Sequence, residues 1–254
     1  MSIRTEWYTD APLVIAHRGA SAYAPENTIA SFKAAIELNA QAVEMDVMLT
    51  KDKQIIVHHD RTLDRTTNGE GPVSSWNLNE IKRLDAGSHF SQDFTYEVVP
   101  TVEEVLSELG NTVLINIELK NNIIPDGKLS KDVIGLVKQY QLEHHVLISS
   151  FNPWDLWQCR GIDPDLPLAL LLHQNQPRLF RNLFIRMTDP DFLHPEESIV
   201  NSQLIEEFHR KGIHVNAWTI DDKDRMEQLF IMGINGLITN VPDIAVDVLR
   251  GNNE

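Results

Sequence analysis

Cysteine is nearly absent from this chain, since Cys159 is the only one among 254 residues. A single thiol excludes an intramolecular disulfide and any zinc site built from several cysteines. The residues around it, 157–160, are typical of a helix, so we expect Cys159 to be a buried structural thiol.

The sequence also lacks a run of about 18 uncharged apolar residues, so no membrane-spanning helix is predicted. Residues 1–12 contain Arg4, Glu6 and Asp10 and no apolar stretch, so we do not expect them to form a secretory signal. The expectation is a cytoplasmic protein without stable membrane association.

Positive charge is scarce: 22 Lys and Arg face 37 Asp and Glu, a formal net charge of −15. A field of this sign repels nucleic acid and anionic membranes, so neither is an expected partner. It repels phosphate esters too. A phosphate substrate would therefore need positive charge concentrated locally by Arg, Lys or a metal ion.

What the sequence does contain is a regular alternation of short apolar runs and longer amphipathic segments. The runs predict strands at residues 13–17, 42–48, 55–58, 113–119, 146–150, 168–172, 192–194, 213–219 and 236–239. The amphipathic segments predict helices at residues 26–38, 102–109, 129–141, 153–161, 202–211 and 223–232. This order predicts an α/β protein with a parallel sheet closed into a TIM (β/α)8 barrel. A doubly wound open sheet is the alternative, but no Gly-x-Gly-x-x-Gly follows a strand and no Walker A motif occurs.

The connection after the second strand interrupts the alternation. Only residues 50–53 separate it from the next apolar run, too few for a parallel crossover, so a hairpin is predicted. Its turn sets a register in which paired residue numbers sum to about 103–104, which brings His59 near Glu44. Residues 60–100 then become irregular and rich in turns. We predict one domain over residues 1–254, with an insertion subdomain at about 60–100 that caps the active-site end.

Acidic side chains share one face of two predicted strands. Glu44 and Asp46 alternate with aliphatic residues in the second strand, and Glu118 does so in the fourth. Carboxylates enclosed in a barrel need cations or a metal ion. Oxygen ligands without thiols favour one divalent cation, Mg²⁺ or Ca²⁺.

Further polar residues lie at predicted strand ends, where barrel enzymes carry their active sites. His17 and His59 are candidates for a general acid and base, and Arg18 and Lys120 for binding phosphate oxygens. Trp218 lies on a polar face of the eighth apolar run and is a candidate substrate contact. Each residue taken alone also has a structural interpretation, such as a salt-bridged acid or a core tryptophan. Their joint occurrence favours a site.

Six stretches occur in an order that identifies a family: Ala16-His17-Arg18-Gly19-Ala20, Pro25-Glu26-Asn27-Thr28, Val43-Glu44-Met45-Asp46-Val47, Val57-His58-His59-Asp60 with Leu63-Asp64-Arg65-Thr66-Thr67, Ile117-Glu118-Leu119-Lys120, and Ala217-Trp218-Thr219. Together they resemble the glycerophosphodiester phosphodiesterase family from about residue 13 to residue 242.

The resemblance implies a distorted barrel of the phospholipase C-like phosphodiesterase type and hydrolysis of glycerophosphodiesters to sn-glycerol 3-phosphate and an alcohol. It implies Glu44, Asp46 and Glu118 as metal ligands. It also implies His17 and His59 as the acid and base, with Arg18 and Lys120 as phosphate contacts.

Two positions depart from the family pattern. Asn39 stands where a glycine is usual, and it tolerates the same left-handed turn. Asn240 replaces an aspartate, a change that we expect to affect only a cap or turn. The segments 121–127 and 174–191 are interpreted as divergent loops that set alcohol specificity.

Two other functions are possible for a barrel of this kind, hydrolysis of lipid phosphodiesters and ligand binding without catalysis. A lysophospholipase D or another phospholipase acting on lipid phosphodiesters would require an apolar, membrane-facing rim. A non-catalytic barrel that only binds its ligand is disfavoured by the full set of acids and histidines. The sequence leaves the alcohol, the choice of ion and the oligomeric state open.

Overall fold

The fold was obtained as a computed structural model, which describes residues 6–9, 11–121 and 126–251. Eight parallel strands close into a ring because β1 pairs with both β2 and β9, and one more strand, β3, pairs antiparallel with β2 outside the ring. The strands are β1 Leu13–His17, β2 Ala42–Leu49, β3 Ile55–Val57, β4 Leu114–Leu119, β5 Val146–Ser150, β6 Leu168–Leu172, β7 Phe192–Pro195, β8 His214–Ala217 and β9 Gly236–Thr239. The predicted barrel and its strands are confirmed.

The short helix α2 Leu78–Ile81 lies in the segment between β3 and α3. The other helices surround the ring: α1 Ile29–Glu37, α3 Val102–Leu109, α4 Lys128–Gln139, α5 Pro153–Ile162, α6 Arg178–Thr188, α7 Ser202–His209, α8 Lys223–Ile231 and α9 Pro242–Gly251. Helix α1 begins three residues later than predicted because the Thr28 side chain accepts from Ser31 N and caps the helix there. Among the described helices, none is long and apolar enough to cross a membrane.

One loop prediction was wrong. Residues 174–191 contain α6, whose N-terminal boundary is Pro177, a residue that makes no side-chain capping hydrogen bond. The start of α6 therefore lacks the usual polar cap in sequence. Helix α9 was not predicted either; it opens with Pro242, a residue favoured in the first helical turn. Most of the other predicted loop, residues 122–125, and the tail after Gly251 lie outside the described residues.

Strand alternation divides the core into two layers. Val14 and Val43 face the surrounding helices, whereas Ile15 and Ala42 face the lumen of the barrel. Trp7 belongs to the lumen layer, and its Nε1 donates to His145 O at 3.0 Å, next to the start of β5. Apolar packing thus fills the amino end of the barrel, which leaves its carboxyl end for polar side chains.

The β2–β3 hairpin has the predicted register, with Val47 opposite Val57 and Leu49 opposite Ile55. The segment that follows, residues 58–101, returns to the barrel at Thr101, which pairs with Ile56. It has a small apolar core of its own, formed by Met48, Ile56, Leu63, Val73, Ile81, Ala86 and Val99. This insertion thereby places His59 and the residues after it at the carboxyl end of the barrel.

Candidate active site

Three buried carboxylates converge at the carboxyl end of β2 and β4. Parallel pairing sets Asp46 beside Glu118, and β1 pairing sets His17 beside Glu44. One carboxylate oxygen from each of Glu44, Asp46 and Glu118 lies within 4.8 Å of the other two. The side-chain period of two in each strand turns all three into the lumen.

Two cations contact this acidic trio. The Lys120 Nζ lies 2.6 Å from Glu118 Oε1 and 3.0 Å from Asp46 Oδ1. The Arg18 Nε lies 3.2 Å from Asp46 Oδ2, and the Arg18 backbone N–H donates to Glu44 Oε2 at 2.9 Å. Three carboxylates therefore face two cationic side chains, so the cluster has more acidic groups than cations to pair with them.

Burial and the charges of neighbouring side chains shift the pKa of each carboxyl group in the trio. Burial raises the pKa of Glu44 well above its ordinary value, and the charges of Asp46 and Glu118 raise it further. Burial likewise raises the pKa of Glu118 to about 7, although Lys120 opposes the shift. Burial would also raise the pKa of Asp46, but Lys120 and Arg18 outweigh it and hold that pKa below its ordinary range. Additional positive charge would stabilise all three carboxylates in their ionised form.

The donor set fits a divalent cation. Glu44 Oε1 is buried and accepts no hydrogen bond from the described residues. A buried acceptor left unpaired is costly, and carboxylate oxygens are the ligands that Mg²⁺ and Ca²⁺ prefer. Glu44, Asp46 and Glu118 could therefore hold one such ion.

Each of the two histidines is held by an oxygen acceptor on its Nδ1. His17 Nδ1 lies 2.8 Å from Asn240 Oδ1, and Asn240 Nδ2 donates to Asp221 Oδ2 at 2.6 Å. Since the amide nitrogen of Asn240 is engaged, its oxygen accepts and His17 Nδ1 donates. His59 Nδ1 lies 2.6 Å from Asp60 Oδ1. Both rings thus keep Nε2 for a ligand.

The two histidines differ in the charge of their partners. His17 has a neutral amide, and burial together with the Arg18 charge lowers its pKa to about 4. Burial lowers the pKa of His59 as well, and the charges of Lys120 and Arg18 lower it further, whereas Asp46 and the hydrogen bond that His59 donates to Asp60 oppose this change. His17 is therefore neutral at pH 7, and the pKa of His59 also lies below its ordinary value although two carboxylates oppose that shift.

A cavity of about 150 Å³ connects these groups. Its lining contains seven of the eight residues singled out in the sequence: His17, Arg18, Glu44, His59, Glu118, Lys120 and Trp218. The rest of the lining consists of Asn116, Phe151, Leu171 and Ile238. The eighth, Asp46, is 1% exposed and lies in the acidic trio. The structure thus brings the whole predicted set together.

Aromatic rings form one wall of the cavity. The rings of Phe151 and Trp218 meet nearly at right angles with centroids 5.5 Å apart, and Trp218 Nε1 donates to His194 O at 2.7 Å. His173 lies beside Trp218, with ring centroids 6.4 Å apart. Trp218 is therefore anchored at one edge while its ring faces the cavity.

Sequence reasoning missed two asparagines that support the site. Asn27 is buried, donates to Asp46 Oδ2 at 2.8 Å and accepts from Asp46 N at 3.2 Å. Its motif, Pro-Glu-Asn-Thr, was noticed without a role. Asn240 was expected to alter a cap or turn and to leave the metal site intact; in addition it contacts His17 directly, a contact that the sequence did not predict. The left-handed turn expected at Asn39 is confirmed, with φ 64°.

Comparison with known proteins gives consistent similarities. Residues 17–244 match the Glycerophosphoryl diester phosphodiesterase family. The chain is 41% identical over 239 residues to a glycerophosphodiester phosphodiesterase of Caldanaerobacter subterraneus subsp. tengcongensis, covering 94% of this chain and 98% of that protein. It is 34% identical over 257 residues to one of Bacillus subtilis, covering 95% and 88%. A solved Oleispira antarctica phosphodiesterase in complex with the product sn-glycerol-3-phosphate superimposes with a TM-score of 0.83 at 30% identity, covering 96% of this chain and 99% of that one.

Proposed function

The chain belongs to the glycerophosphoryl diester phosphodiesterase family, and from that premise we propose that it hydrolyses glycerophosphodiesters to sn-glycerol 3-phosphate and an alcohol with one divalent cation, Mg²⁺ or Ca²⁺. The observation that carries the proposal is the convergence of the acidic trio, two cationic side chains and two histidines on one cavity. The product bound in the Oleispira antarctica relative agrees with this substrate class.

Glu44, Asp46 and Glu118 would hold the cation. When bound, the cation supplies positive charge that stabilises the negative charge growing on the phosphate in the transition state. Arg18 and Lys120, which both line the cavity, would bind the non-bridging phosphate oxygens. These groups provide the local positive field that a protein of net charge −15 otherwise lacks.

The surroundings of the histidines support separate roles. His17, neutral and with Nε2 unengaged, removes a proton from the nucleophile. His59, supported by Asp60, protonates the oxygen of the leaving alcohol and is then regenerated by solvent. The side-chain amide of Asn240 and the carboxylate of Asp60 keep the two rings in the tautomers that these roles require.

Two nucleophiles fit this arrangement: water, or the neighbouring hydroxyl of the glycerol, which would form a cyclic phosphate. The second route needs no water in the first step. Rapid quenching of slow turnovers, followed by ³¹P NMR, separates the two routes. A transient cyclic phosphate indicates attack by the hydroxyl. Direct incorporation of solvent ¹⁸O without any cyclic species indicates attack by water.

The test of function is hydrolysis of glycerophosphocholine, with sn-glycerol 3-phosphate assayed enzymatically, first in EDTA and then with Mg²⁺ or Ca²⁺ restored. We expect activity to disappear on chelation and to return with one of the ions. Full activity after exhaustive chelation would refute the metal assignment. Binding without any turnover would instead favour the non-catalytic barrel.

One observation favours a second candidate, hydrolysis of lysophospholipids. Helices α5 and α6 begin at the carboxyl end of the barrel and expose large apolar side chains: Trp154, Trp157, Leu179, Phe180 and Leu183. These side chains supply the apolar rim that a lipid substrate requires. Measuring kcat/KM for lysophosphatidylcholine beside glycerophosphocholine distinguishes the candidates, because only a lipid-directed enzyme should prefer the former.

A further inference from the structure

Arg65 lies in the insertion, outside the lining of the catalytic cavity, and its side chain is 48% exposed. An exposed arginine is ordinarily a solvated surface charge. Arg65 differs because every nitrogen of its guanidinium is engaged by a carboxylate. Nε donates to Asp60 Oδ2 at 2.6 Å, while NH1 and NH2 donate to the two oxygens of Glu26 at 2.7 Å each.

Both of these carboxylates continue into the site. Asp60 Oδ1 lies 2.6 Å from His59 Nδ1. Glu26 Oε1 accepts from Arg18 NH1 at 2.8 Å, and Arg18 Nε lies 3.2 Å from Asp46. A continuous path of charged hydrogen bonds therefore runs from His59 through Asp60, Arg65 and Glu26 to Arg18.

We propose that Arg65 is a positioning residue that sets the candidate acid His59 and the candidate phosphate-binding Arg18 in one fixed geometry, by holding Asp60 and Glu26 together. The inference rests on the proposed function of that site. It assigns Arg65 no contact with substrate, cation or reacting atoms.

The shape of the guanidinium explains why arginine suits this position. It is planar and presents its donors in a rigid fork, so it can bind one carboxylate with two nitrogens and a second with Nε. A lysine ammonium is a point donor on a flexible stem and cannot reproduce this arrangement. Without Arg65, Asp60 Oδ2 and Glu26 Oε2 lose the hydrogen bonds described above. Asp60 then keeps its contact with His59 and Glu26 its contact with Arg18, but nothing holds the two carboxylates in a fixed position relative to each other.

The effect should appear in catalysis rather than in stability. Exposed ion pairs contribute little to folding, whereas displacement of a reacting group by about 1 Å can reduce a rate by about 10²-fold. A purely structural role for Arg65 predicts the reverse, a loss of stability with normal kinetics in the molecules that remain folded.

The experiment compares Arg65→Met and Arg65→Lys with Arg61→Met in the full-length, cation-saturated enzyme. Arg61 is a matched control, because it is exposed in the same loop and its side chain makes no hydrogen bond or ion pair with the described residues. Measurements are kcat and KM for glycerophosphocholine, the affinity for inorganic phosphate by calorimetry, and the melting temperature.

For Arg65→Met we expect kcat to fall by about 10- to 100-fold through His59, and phosphate affinity to fall several-fold through Arg18. The melting temperature should change by no more than about 3 °C. Arg65→Lys should recover part of the loss, and Arg61→Met should match wild type. In the Asp60→Asn background, Arg65→Met should reduce kcat less than it does in wild type, because the path to His59 is already altered.

Unchanged phosphate affinity and unchanged kcat in Arg65→Met would overturn the inference. So would an activity loss that follows the fraction of unfolded protein. Should the wild type hydrolyse no diester, the proposed function fails, and phosphate affinity alone still decides: a weaker affinity in Arg65→Met than in Arg61→Met supports the positioning role, and equal affinities reject it.

Discussion

At the scale of single residues, surroundings distinguish histidines that look alike in sequence. His58 and His59 are neighbours, yet His58 is buried with Nε2 3.0 Å from Thr62 O, whereas His59 lines the cavity. His194 is fully buried inside the barrel, where its Nε2 lies 3.1 Å from Asn216 Nδ2. Because side chains alternate along the hairpin, His58 points away from His59, and its burial and hydrogen bond indicate a structural role.

Removing either candidate catalytic histidine tests the acid and base roles. His17→Ala and His59→Ala should each lower kcat by about 10²- to 10⁴-fold, because proton transfer then passes to solvent. His144→Ala serves as the control, since His144 is exposed and lies outside the cavity. Steady-state kinetics together with circular dichroism measure the effect. Near-normal turnover in a folded His17 or His59 variant would contradict that residue's role.

Because His194 is buried, we expect the free energy of unfolding to depend on pH. Burial lowers its pKa to about 3, so the folded protein holds it neutral while the unfolded chain binds a proton below about pH 6.5. Its contribution is fully present above pH 6.5 and decreases as the pH falls from 6.5 toward 3, by up to about 1.4 kcal/mol per pH unit.

Urea denaturation at pH 7, 6 and 5 checks this dependence. Other buried histidines, including His17, add to the wild-type slope. His194→Gln retains a group that can hydrogen-bond Asn216 but does not titrate, so its free energy of unfolding should change less steeply with pH. An identical slope in the two proteins would show that His194 is not the group responsible.

At the scale of elements, the short turn after β1 is decisive for the site. Arg18 has a φ of 57° and Gly19 a φ of 82°, a conformation that points the Arg18 N–H at Glu44. A Cβ on Gly19 would lie 2.4 Å from Ser31 Oγ and 2.5 Å from Ser31 C in α1. Glycine is therefore required both by the left-handed backbone and by the close approach of the helix.

Substitution Gly19→Ala should reduce kcat/KM by more than about 10-fold, because the turn must shift and carry Arg18 with it. Gly212→Ala is a control that has backbone strain but no steric clash. Gly212 also has a positive φ, 75°, but nothing lies within 4 Å of a Cβ added there. That control should lose about 1–2 kcal/mol of stability from the left-handed backbone and keep its activity. Equal kinetics for the two variants would argue against the role of the turn. Activity assays and thermal melts measure both effects.

The sequence predicted the strands more accurately than the helices. Strands were located well because buried parallel strands are short, apolar and bounded by turns. Helix α6 was missed although polar and apolar residues alternate along it at helical spacing, because it begins after Pro177 without a polar capping residue.

At the scale of the whole molecule, closure of the ring brings the first strand, β1, beside the last strand, β9, at the site. The hydrogen bond from His17 to Asn240 spans 223 residues, and it exists because β1 pairs with β9. The acidic trio lies on the neighbouring strands β2 and β4. Binding of an ion there should therefore stabilise the complete fold rather than one segment.

Cation binding should raise the melting temperature. An ion at 100 times its dissociation constant contributes about 2.7 kcal/mol, and each kcal/mol corresponds to about 2–4 °C for a chain of this size. We therefore expect a rise of roughly 5–10 °C with the preferred ion, measured by calorimetry in Mg²⁺ and in Ca²⁺ after treatment with EDTA. Glu118→Gln should reduce the rise. A rise of the same size in that variant would place the bound ion elsewhere.

Local order in the chain was enough to predict the barrel, the hairpin register and the face that carries Glu44, Asp46 and Glu118. Each depends on residues close in sequence: side-chain alternation within a strand, or the length of one turn. The partners of those groups depend on tertiary structure. Asn240 reaches His17 across the closed ring, and Arg65 joins Asp60 to Glu26 only because the insertion lies against the loop between β1 and α1. Such contacts form between side chains that are distant in sequence, and no local pattern encodes their distance or direction.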